Sequence, residues 1–576
     1  MRRLFFPLAV AALGLTGCAG APGRPEAAAP ASAPSGPPKL IVAISIDQFS
    51  GDLFAQYRQT FTGGLKRLLG GAVFPSAFQS HAATETCPGH STLLTGAHPS
   101  RTGIIANNWF DPGIARADKR VYCAEDIADP ASSSRDPVVS AQFLKVPTLG
   151  ELIKRAAPAS RNVAVSAKDR AVVMMGGHAI DAGYWWKSGG SPKDRAAAAA
   201  AGTGWTGSGF VTFKGAALSP SVLAENAEIG AVLKVGAPEL VVPARCVPFD
   251  RPVAVGQGTI GTGKFAIEAG KDDQFRVSPR MDGATVDLAV RLLDEMNLGR
   301  GASPDVLSVS LSATDYVGHA FGTEGVEMCI QLAALDAALG RLFAALDSRG
   351  IDYVAMLSAD HGGLDTPERL DAQAFPRATR VDKALSPGEL AKAVAAKTGI
   401  AVTGPLLYGD GAFGDFYFSA ALTPAQKAQA SAALVSIVKA NTQVAAVFTH
   451  EELARTPLPA GGPQDWSLKE RARASFDAER SGDIVILLDR AVVPISDPVI
   501  GSYTATHGSA WDYDRRVPLL FWRRGMPGFE QPAPVETVDI APTLAALLGL
   551  ALPDGTFDGR CLDLDPGPGN SCAIQP

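Results

Sequence analysis

Aspartate and histidine residues recur in this sequence where predicted strands end, and their side chains could together bind metal ions. If those strands are parallel, their carboxyl ends lie along one edge of a sheet, so residues far apart in the chain can converge there. Imidazole and carboxylate ligands in combination favour zinc over calcium or magnesium. The pattern predicts a site for two zinc ions. Its members are three aspartates and three histidines: Asp47, Asp315, His319, Asp360, His361 and His507.

Each part of this pattern has a structural interpretation when it is taken alone. Asp360 could cap a following helix, Asp315 and His319 could pair across one helical turn, and His507 could be a lone buried imidazole. The metal-site interpretation therefore depends on the combination of all six residues.

The segment at residues 84–92, TETCPGHST, supplies a candidate nucleophile in Thr86. A threonine hydroxyl is a poor nucleophile near neutral pH unless a base or a metal lowers its pKa. The chain has no Gly-x-Ser-x-Gly elbow, and a metal ion could provide that activation. Alternatively, Thr86 is the N-cap of a helix with Pro88 in its first turn. Both interpretations can hold, because a helix N-terminus also favours a bound anion.

Two cations follow the predicted strand that begins at Val163. On an extended chain Lys168 and Arg170 point to the same side, whereas Asp169 points away. Such a pair suits a dianionic phosphate better than a singly charged one, and arginine can grip two oxygens at once. Taken alone, Lys-Asp-Arg is also an ordinary solvated turn.

Alternating strand and helix patterns indicate the fold class. Apolar runs predict buried strands, and helical patterns lie between several of them, which together predict an α/β fold with a largely parallel central sheet and helices on both faces. The predicted strands are Leu40–Ile46, Val163–Ser166, Val306–Leu311, Tyr353–Leu357, Ile484–Leu488 and Val517–Trp522. The predicted helices are Gly64–Leu69, Ala284–Met296, Val326–Leu346, Pro387–Ala396, Pro424–Ala440 and Ala541–Leu548.

Residues 39–576 are predicted to form one catalytic domain with two insertions. The stretches near 110–145 and 180–280 are rich in Gly, Ser, Ala and aromatic residues and lack clear periodicity. We expect them to form loops or a small cap subdomain beside the site.

The N-terminus has the anatomy of an export signal. Two arginines precede an apolar run from Leu4 to Leu15, and Leu-Thr-Gly-Cys then resembles the lipobox that is cleaved and lipidated on its cysteine, here Cys18. An ordinary signal peptide with an incidental cysteine is the alternative. Residues 19–38 are mostly Ala, Pro, Gly and Ser and predict a tether. No later segment is expected to span a bilayer. The chain is thus predicted to be periplasmic, anchored to the outer membrane, or extracellular.

Composition restricts the possible partners. The 576 residues carry a formal net charge of −6, which argues against a nucleic-acid partner because such proteins usually present a basic face. The hydrophobic share of 46% and charged share of 19% are those of a globular protein. We expect a monomer that contacts a membrane only through an N-terminal lipid.

Six cysteines remain after Cys18, and an even number in an exported protein suggests disulfides. Free thiols are the alternative, and the spacing matches no zinc knuckle or redox motif. The closeness of Cys561 and Cys572 in sequence favours their pairing. For the other four we expect Cys87 with Cys123 and Cys246 with Cys329.

The order of these residues resembles the alkaline phosphatase superfamily over nearly all of the chain after the tether. Residues 86–91 are similar to the nucleophile motif of its nucleotide pyrophosphatase/phosphodiesterase-like branch, and residues 103–107 to the next motif, whose asparagine, here Asn107, holds a phosphoryl oxygen. The resemblance implies one zinc bound by Asp47, Thr86, Asp360 and His361. It implies a second zinc bound by Asp315, His319 and His507.

Within that superfamily, Lys168 and Arg170 resemble the Lys-x-Arg pair of the PhoK/PafA-type bacterial alkaline phosphatases, which are monoesterases. The resemblance implies hydrolysis of small phosphate monoesters through a covalent phosphothreonine at Thr86. A phosphodiesterase or nucleotide pyrophosphatase is the nearest alternative, and a non-catalytic metal-binding lipoprotein is another. A sulfatase is disfavoured because the Cys/Ser-x-Pro-x-Arg motif is replaced by residues 86–90, TCPGH.

The remaining histidines and a C-terminal acidic cluster are assigned lesser roles. His90 is expected to hold the nucleophile turn, and His81, His98, His178 and His450 to be structural. Structural calcium, implied by the PhoK type, could bind Asp558, Asp563 and Asp565. A solvated acidic turn is the favoured interpretation there, because the chain has no EF-hand loop.

Overall fold

The central strands form because their sequences are continuous apolar runs that can be buried on both faces. The computed structural model describes residues 36–189 and 207–573. Every residue of Leu40–Ile46, Asp305–Leu311 and Tyr353–Ser358 is buried in it. Side chains alternate between the two faces of a strand, so complete burial means that other elements cover both faces of this sheet.

The strands of the described part of the chain are numbered in chain order. They are β1 Leu40–Ile46, β2 Ala72–Phe78, β3 Asn108–Phe110, β4 Arg120–Tyr122, β5 Asn162–Ser166, β6 Ala182–Lys187, β7 Gly209–Val211, β8 Val253–Val255, β9 Gly258–Ile260, β10 Asp305–Leu311, β11 Tyr353–Ser358, β12 Thr379–Arg380, β13 Leu407–Tyr408, β14 Gly414–Phe418, β15 Val444–Thr449, β16 Ile484–Leu488, β17 Val492–Val493, β18 Arg516–Arg523, β19 Phe529–Glu530 and β20 Val535–Glu536.

Among these described strands, ten form the central sheet. Their order is β19-β2-β18-β11-β1-β10-β5-β6-β7, with β20 also paired to β2. The neighbours β11, β1, β10, β5 and β6 are parallel, whereas β18 and β7 run antiparallel to their neighbours. This sheet confirms the predicted α/β class with a largely parallel arrangement.

Helices connect these strands, and many begin at a serine or threonine whose side chain accepts a main-chain N–H, as at Ser50, Thr148 and Thr423. In the described residues the helices are Gly51–Tyr57, Gly64–Leu68, Thr86–Thr95, Pro99–Thr102, Leu149–Ala156, Asp169–Gly176, Pro220–Val235, Asp272–Arg276, Pro279–Glu295, Ala313–Phe321, Val326–Ser348, Pro367–Ala372, Pro387–Thr398, Pro424–Lys439, His450–Arg455, Leu468–Ser475, Asp512–Arg515 and Ile540–Leu547.

A second, smaller sheet was not foreseen from the sequence. It has the order β13-β14-β16-β15, is antiparallel throughout, and shares a separate hydrophobic core with the helices Pro387–Thr398 and Pro424–Lys439. The predicted strand Ile484–Leu488 is β16 and belongs to this sheet. Strands as short as Leu407–Tyr408 carry too few residues to give a periodic signal, which is why the sheet was missed.

The stretches predicted as insertions contain short hairpins and loops, but the second stretch also contributes two strands to the central sheet and a long helix. Residues 110–145 include β4, which pairs with β3. Residues 180–280 contribute β6 and β7 to the edge of the central sheet before they form the helix Pro220–Val235 and the hairpin of β8 and β9. The predicted signal peptide at 1–18, the tether apart from its last residues, and residues 190–206 lie outside the described residues.

The expectation that no later segment could span a bilayer was wrong, because one helix is long enough and apolar enough to do so. The helix Val326–Ser348 has 23 residues and a mean hydropathy of 1.5 over its most apolar window. It packs inside the protein, where 61% of that window is buried. Its polar residues bind neighbouring loops: Glu327 accepts three main-chain N–H groups at residues 261–263, and Asp336 accepts three at 62, 63 and 65. These contacts identify it as a core helix.

Three disulfides connect the cysteines as predicted. Cys87 pairs with Cys123, Cys246 with Cys329, and Cys561 with Cys572. The first fastens the start of the helix Thr86–Thr95 to the loop after β4, so it links the candidate nucleophile to the first predicted insertion.

The helix Thr86–Thr95 is completely buried and passes very close to the end of β11. A Cβ atom built on Gly89 would lie 2.0 Å from the carbonyl oxygen of Asp360, a main-chain atom that cannot move aside alone. Glycine at position 89 is thus required for the helix that begins at Thr86 to approach Asp360.

We predict that Gly89→Ala lowers the free energy of unfolding by about 2 kcal/mol or more, because the added methyl group overlaps main-chain atoms. Urea denaturation with a spectroscopic probe measures the change. The matched control is Gly283→Ala, also within a helix, where the nearest atom to an added Cβ is 3.8 Å away. That variant should be neutral or up to about 1 kcal/mol more stable. Equal stabilities for the two variants would contradict the proposed close approach.

Candidate active site

The carboxyl ends of β1, β10 and β11 lie side by side and carry the acidic residues of the site. Strand β1 pairs in parallel with both of the others. Asp47 directly follows β1, and its N–H donates to the carbonyl of Leu311 at 3.0 Å. Asp360 comes two residues after β11, and Asp315 lies in the first turn of the helix that follows β10. Parallel pairing therefore brings together residues that are hundreds of positions apart.

Two groups of buried side chains at this edge could each hold a metal ion. Asp47, Asp360 and His361 form one group, and Asp315, His361 and His507 form the other; within each, the potential ligand atoms lie within 4.8 Å of one another. His361 belongs to both, and its ring stacks on that of His507 with 3.5 Å between centroids. The two groups are adjacent.

His319 lies beside the second group. Its Nε2 lies 3.2 Å from Oδ1 of Asp315, and Nε2 of His507 lies 3.3 Å from the same oxygen. Asp315 and His319 are one turn apart on the helix Ala313–Phe321, so helical periodicity alone brings them together. All six metal-ligating candidates with acidic or imidazole side chains thus meet at one place.

The three histidines share a tautomer that directs a lone pair into the site. Each ring places Nδ1 within 2.8–2.9 Å of a main-chain carbonyl: His319 at Ala505, His361 at Gly362 and His507 at Thr84. A carbonyl only accepts, so Nδ1 carries the proton and Nε2 is left as an acceptor. Metal-binding histidines characteristically donate their second ring N–H in this way. Burial also lowers the pKa of His361 to about 3, which keeps this ring neutral.

Several buried acceptor atoms of the aspartates and of His361 lie close together with no donor between them. Asp47 Oδ1, Asp315 Oδ1 and His361 Nε2 have no hydrogen-bond partner. His361 Nε2 nevertheless lies 3.4 Å from Asp47 Oδ1 and 3.3 Å from Asp360 Oδ2. Unsatisfied buried acceptors are costly, and divalent cations coordinated by all of them would remove that cost. The donor set of carboxylates and imidazoles fits divalent metal ions of the zinc class.

Lys168 lies between the two groups. Its Nζ is 2.6 Å from Asp47 Oδ2, 2.6 Å from Asp315 Oδ2 and 3.3 Å from the Thr86 hydroxyl. Although burial opposes ionisation, the charges of Asp315 and Asp47 raise the pKa of Lys168, which stays charged. The same environment holds the pKa of Asp315 below its usual range, against burial, through His319 and Lys168. The sequence placed Lys168 near phosphate, but gave no sign of its pairing with both carboxylates.

Thr86 is the first residue of its helix, and the N-cap is Glu85, so the N-cap alternative for Thr86 was wrong by one residue. Its hydroxyl is reached by Lys168 and, at 3.5 Å, by Nη2 of Arg170. An anion bound beside the Thr86 hydroxyl would therefore be close to two cations and to the N-terminal end of a helix.

Asn107 is fixed by two hydrogen bonds beside Thr86. Its Oδ1 accepts the N–H of Cys87 at 2.8 Å, and its own N–H donates to Oε2 of Glu85 at 2.7 Å. Because Oδ1 is used by the main chain, the Nδ2 amide is the group left to donate to a ligand. Burial raises the pKa of Glu85 to about 7 even though it accepts this N–H.

Glu85 and Tyr122 are part of the site and were missed from the sequence. Glu85 adjoins the nucleophile motif, and that position was the available signal. Tyr122 donates its hydroxyl to Asp169 at 2.6 Å and contacts Arg170. Nothing in the sequence near Tyr122 indicated this, since it belongs to a short hairpin in the first predicted insertion.

The other histidines lie outside the two Asp/His groups. His90 contacts the carbonyl of Thr86 at 2.9 Å, the hydroxyl of Ser310 at 3.0 Å and Asp360 Oδ2 at 3.0 Å. It therefore links the first turn of the helix that begins at Thr86 to the ends of β10 and β11. His98 lies between Glu536 and Asp558. His81 is buried, His178 pairs with Glu151, and His450 contacts the carbonyl of Gly482.

The C-terminal acidic residues are occupied by protein donors. Asp558 accepts from Arg101 and the N–H of His98, while Asp563 and Asp565 accept main-chain N–H groups within the loop closed by Cys561 and Cys572. In the described ranges, the groups of acidic, histidine and cysteine residues able to hold a metal are the two at the strand ends. Calcium thus receives no support from this cluster.

Comparison with known proteins identifies the family of this chain. The family model for type I phosphodiesterase / nucleotide pyrophosphatase matches residues 41–510. The chain is 52% identical to alkaline phosphatase PhoK of Sphingomonas sp over 540 residues, covering 94% of this chain and 93% of PhoK. It is 49% identical to alkaline phosphatase PhoD of Zymomonas mobilis over 542 residues, covering 93% and 90%.

A solved structure shares the fold. The crystal structure of alkaline phosphatase PafA superposes with a TM-score of 0.76 at 24% identity, covering 91% of this chain and 98% of PafA. These findings confirm the resemblance stated from the sequence. The chain belongs to the type I phosphodiesterase / nucleotide pyrophosphatase family, where its relatives include bacterial alkaline phosphatases of the PhoK and PafA type.

Proposed function

We propose that this protein is an alkaline phosphatase that hydrolyses small phosphate monoesters through a covalent phosphothreonine at Thr86. The observation that carries the proposal is the juxtaposition at one hydroxyl: Lys168 and Arg170 reach Thr86 Oγ1 at 3.3 and 3.5 Å beside the two Asp/His groups. The 52% identity to a protein named alkaline phosphatase over almost the whole chain supports it.

The residues at the strand ends would hold two zinc ions. Asp47, Thr86, Asp360 and His361 are proposed for one, and Asp315, His319 and His507 for the other. When bound, two zinc ions would lower the pKa of the Thr86 hydroxyl, neutralise charge on the leaving oxygen and activate water. The unpartnered buried atoms of Asp47, Asp315 and His361 support this assignment.

The chain's own residues account for binding and orientation of the phosphoryl group. Thr86 Oγ1 attacks phosphorus, and the ester oxygen leaves from the opposite side. Lys168, Arg170 and the Nδ2 amide of Asn107 hold the nonbridging oxygens, so their charges and dipoles are already oriented when negative charge develops. Water then attacks the phosphothreonine, releases phosphate and restores the Thr86 hydroxyl.

Charge favours a monoester over a diester. A monoester carries a dianionic phosphate, which can interact with both Lys168 and Arg170, whereas a diester offers one charge and would place a second substituent beside the two cations. Lys168 is buried and already lies between two carboxylates, so its positive charge is fixed in position. A phosphodiesterase remains the second candidate, because the family description covers that activity.

Disulfides support an exported protein, and we propose that Cys18 is lipidated, which would anchor the chain in the periplasm or at the outer membrane. A monomer is retained as part of this proposal. Cys18→Ser should release the protein from the membrane fraction of the producing cells, as judged by immunoblotting. Continued membrane association of that variant would overturn the proposed anchor.

Metal removal is expected to destabilise the protein, because buried carboxylates and imidazoles lose their shared cation. Purified protein should contain about two zinc ions per chain by mass spectrometry of the metal, and chelation should lower Tm until zinc is restored. His319→Ala should retain about one zinc and show a smaller rise in Tm on zinc addition. The control is His178→Ala, a half-exposed histidine away from the site. Equal zinc content in both variants would contradict the assignment of His319.

A monoester preference is expected from the cationic pair. With zinc-loaded protein, kcat/KM for p-nitrophenyl phosphate should greatly exceed that for bis-p-nitrophenyl phosphate. Arg170→Ala should lower the monoester value about a hundredfold, since it removes a fixed positive charge from the transition state, and should lower the diester value much less. Lys168→Ala should act in the same direction, with circular dichroism checking the fold because Asp47 and Asp315 lose their cation.

Arg155→Ala is the matched control, since Arg155 is exposed on a helix outside the site. A diester preference of the unmodified protein would instead assign it to the phosphodiesterases. Zinc binding without turnover of either ester would favour the non-catalytic metal-binding lipoprotein.

A further inference from the structure

A cleft of about 640 Å³ opens beside the phosphate-binding cations. Lys168 and Arg170 form part of its wall, and the same lining includes Tyr316, Arg276 and Arg135. The Asp/His ligand groups are not part of its lining. It is thus an extension of the phosphate site on the side of the two cations.

The cleft lining contains more cationic than acidic side chains, unlike the molecule as a whole. Its lining includes the carboxylates of Asp136 and Asp169. Asp169 accepts the Tyr122 hydroxyl at 2.6 Å and the N–H of Arg170 at 2.7 Å, and Asp136 lies 3.5 Å from Lys187. The chain as a whole has a formal charge of −6, so a positive cleft concentrates anions locally. The cationic residues of the lining are Arg135, Lys168, Arg170, Lys187, Lys214 and Arg276.

Arg276 is held at a fixed place by an aromatic ring. Its Cζ lies 4.7 Å from the centroid of the Tyr316 ring, and Nζ of Lys168 lies 5.3 Å from the same centroid. Tyr316 directly follows the proposed ligand Asp315, so this ring connects the reaction centre to the cleft. Cation–π contact orients the guanidinium without neutralising it.

Two of these arginines have no acidic partner in the part of the chain that the structure describes. Arg276 contacts Tyr316, and Arg135 is exposed, but neither forms an ion pair with a carboxylate of residues 36–189 or 207–573. By contrast, Lys214 of the same lining pairs with Asp129. A guanidinium that lines a cleft with its donors free can bind a second anion bidentately.

We propose that this cleft is a subsite for a second anionic group of the substrate, so that organic phosphates carrying a further phosphate or carboxylate are preferred. The inference rests on the proposed function. The hydrolysed phosphate would bind Lys168 and Arg170, the spacer would pass Tyr316, and the second anion would bind Arg276, with Arg135 as a further cation of the lining. Arg276 is then a specificity-determining residue rather than a catalytic one.

The test compares alkanediol bisphosphates of increasing chain length with the corresponding hydroxyalkyl monophosphates. The measured quantity is the ratio of kcat/KM for the bisphosphate to that for the monophosphate within one protein, so effects on the shared phosphate chemistry cancel. The unmodified protein should show a ratio about tenfold above unity at a preferred spacer length. Arg276→Ala should lower that ratio about tenfold, and Arg276→Lys should retain part of it.

Further variants separate the subsite from general effects of charge. Arg135→Glu, an exposed change that cannot disturb the Tyr316 contact, should also lower the ratio, and raised ionic strength should lower it as well. Arg155→Ala should leave it unchanged. Equal ratios in the unmodified protein, Arg276→Ala and Arg135→Glu would overturn the proposal.

Two additional measurements identify the class of anion that the subsite binds and distinguish failure of this proposal from failure of the proposed function. If a carboxyalkyl phosphate gives the same kcat/KM ratio as the bisphosphate, the subsite accepts anions in general. If its ratio is lower, the subsite is selective for phosphate. If no monoester is hydrolysed at all, the proposed function fails. The subsite is then tested by calorimetric binding of the bisphosphate, which must be weakened by Arg276→Ala for the proposal to stand.

Discussion

The structure depends on an electrostatic constraint: three buried carboxylates share one sheet edge with three imidazole rings. Asp47, Asp315 and Asp360 converge because β1, β10 and β11 are parallel neighbours. Such a concentration of acceptors is unfavourable in a protein interior unless cations lie among them. Lys168 supplies one positive charge, and the remaining unpartnered atoms account for the fit to divalent metals.

This constraint explains why the surrounding main chain is so tightly arranged. The carbonyls of Thr84, Gly362 and Ala505 fix the three ring tautomers, and the approach of Gly89 to Asp360 fixes the helix that begins at Thr86. The disulfide from Cys87 adds a covalent link at that helix start. A site of this kind needs its groups oriented before a ligand binds, because reorientation during the reaction would cost much of the electrostatic stabilisation.

Charge is also distributed on a larger scale than the ligand groups. The acidic chain has a cleft rich in cationic side chains next to its phosphate-binding residues. Net charge argued against a nucleic-acid partner, yet it gave no information about this cleft. The same lining combines aromatic rings with guanidinium groups, which lets cations be oriented without being neutralised.

The sequence alone determined the features that depend on local pattern and on residue order. Apolar runs such as Leu40–Ile46 predicted buried parallel strands, helical spacing brought Asp315 next to His319, and the order of the site residues identified the family. The pairing of the six cysteines was also predicted correctly. The strands and the Asp315–His319 pair could be predicted because backbone periodicity is a property of short segments. The family could be identified because the order of residues is read directly from the chain.

Only the tertiary structure decided the features that require distant segments to meet. The position of Lys168 between Asp47 and Asp315, the two hydrogen bonds of Asn107, and the assignment of β16 to a second antiparallel sheet have no local signature. The same holds for Tyr316 between Lys168 and Arg276. Such contacts join residues tens to hundreds of positions apart, and their distances are set by how strands and helices pack, which residue types and spacing do not specify.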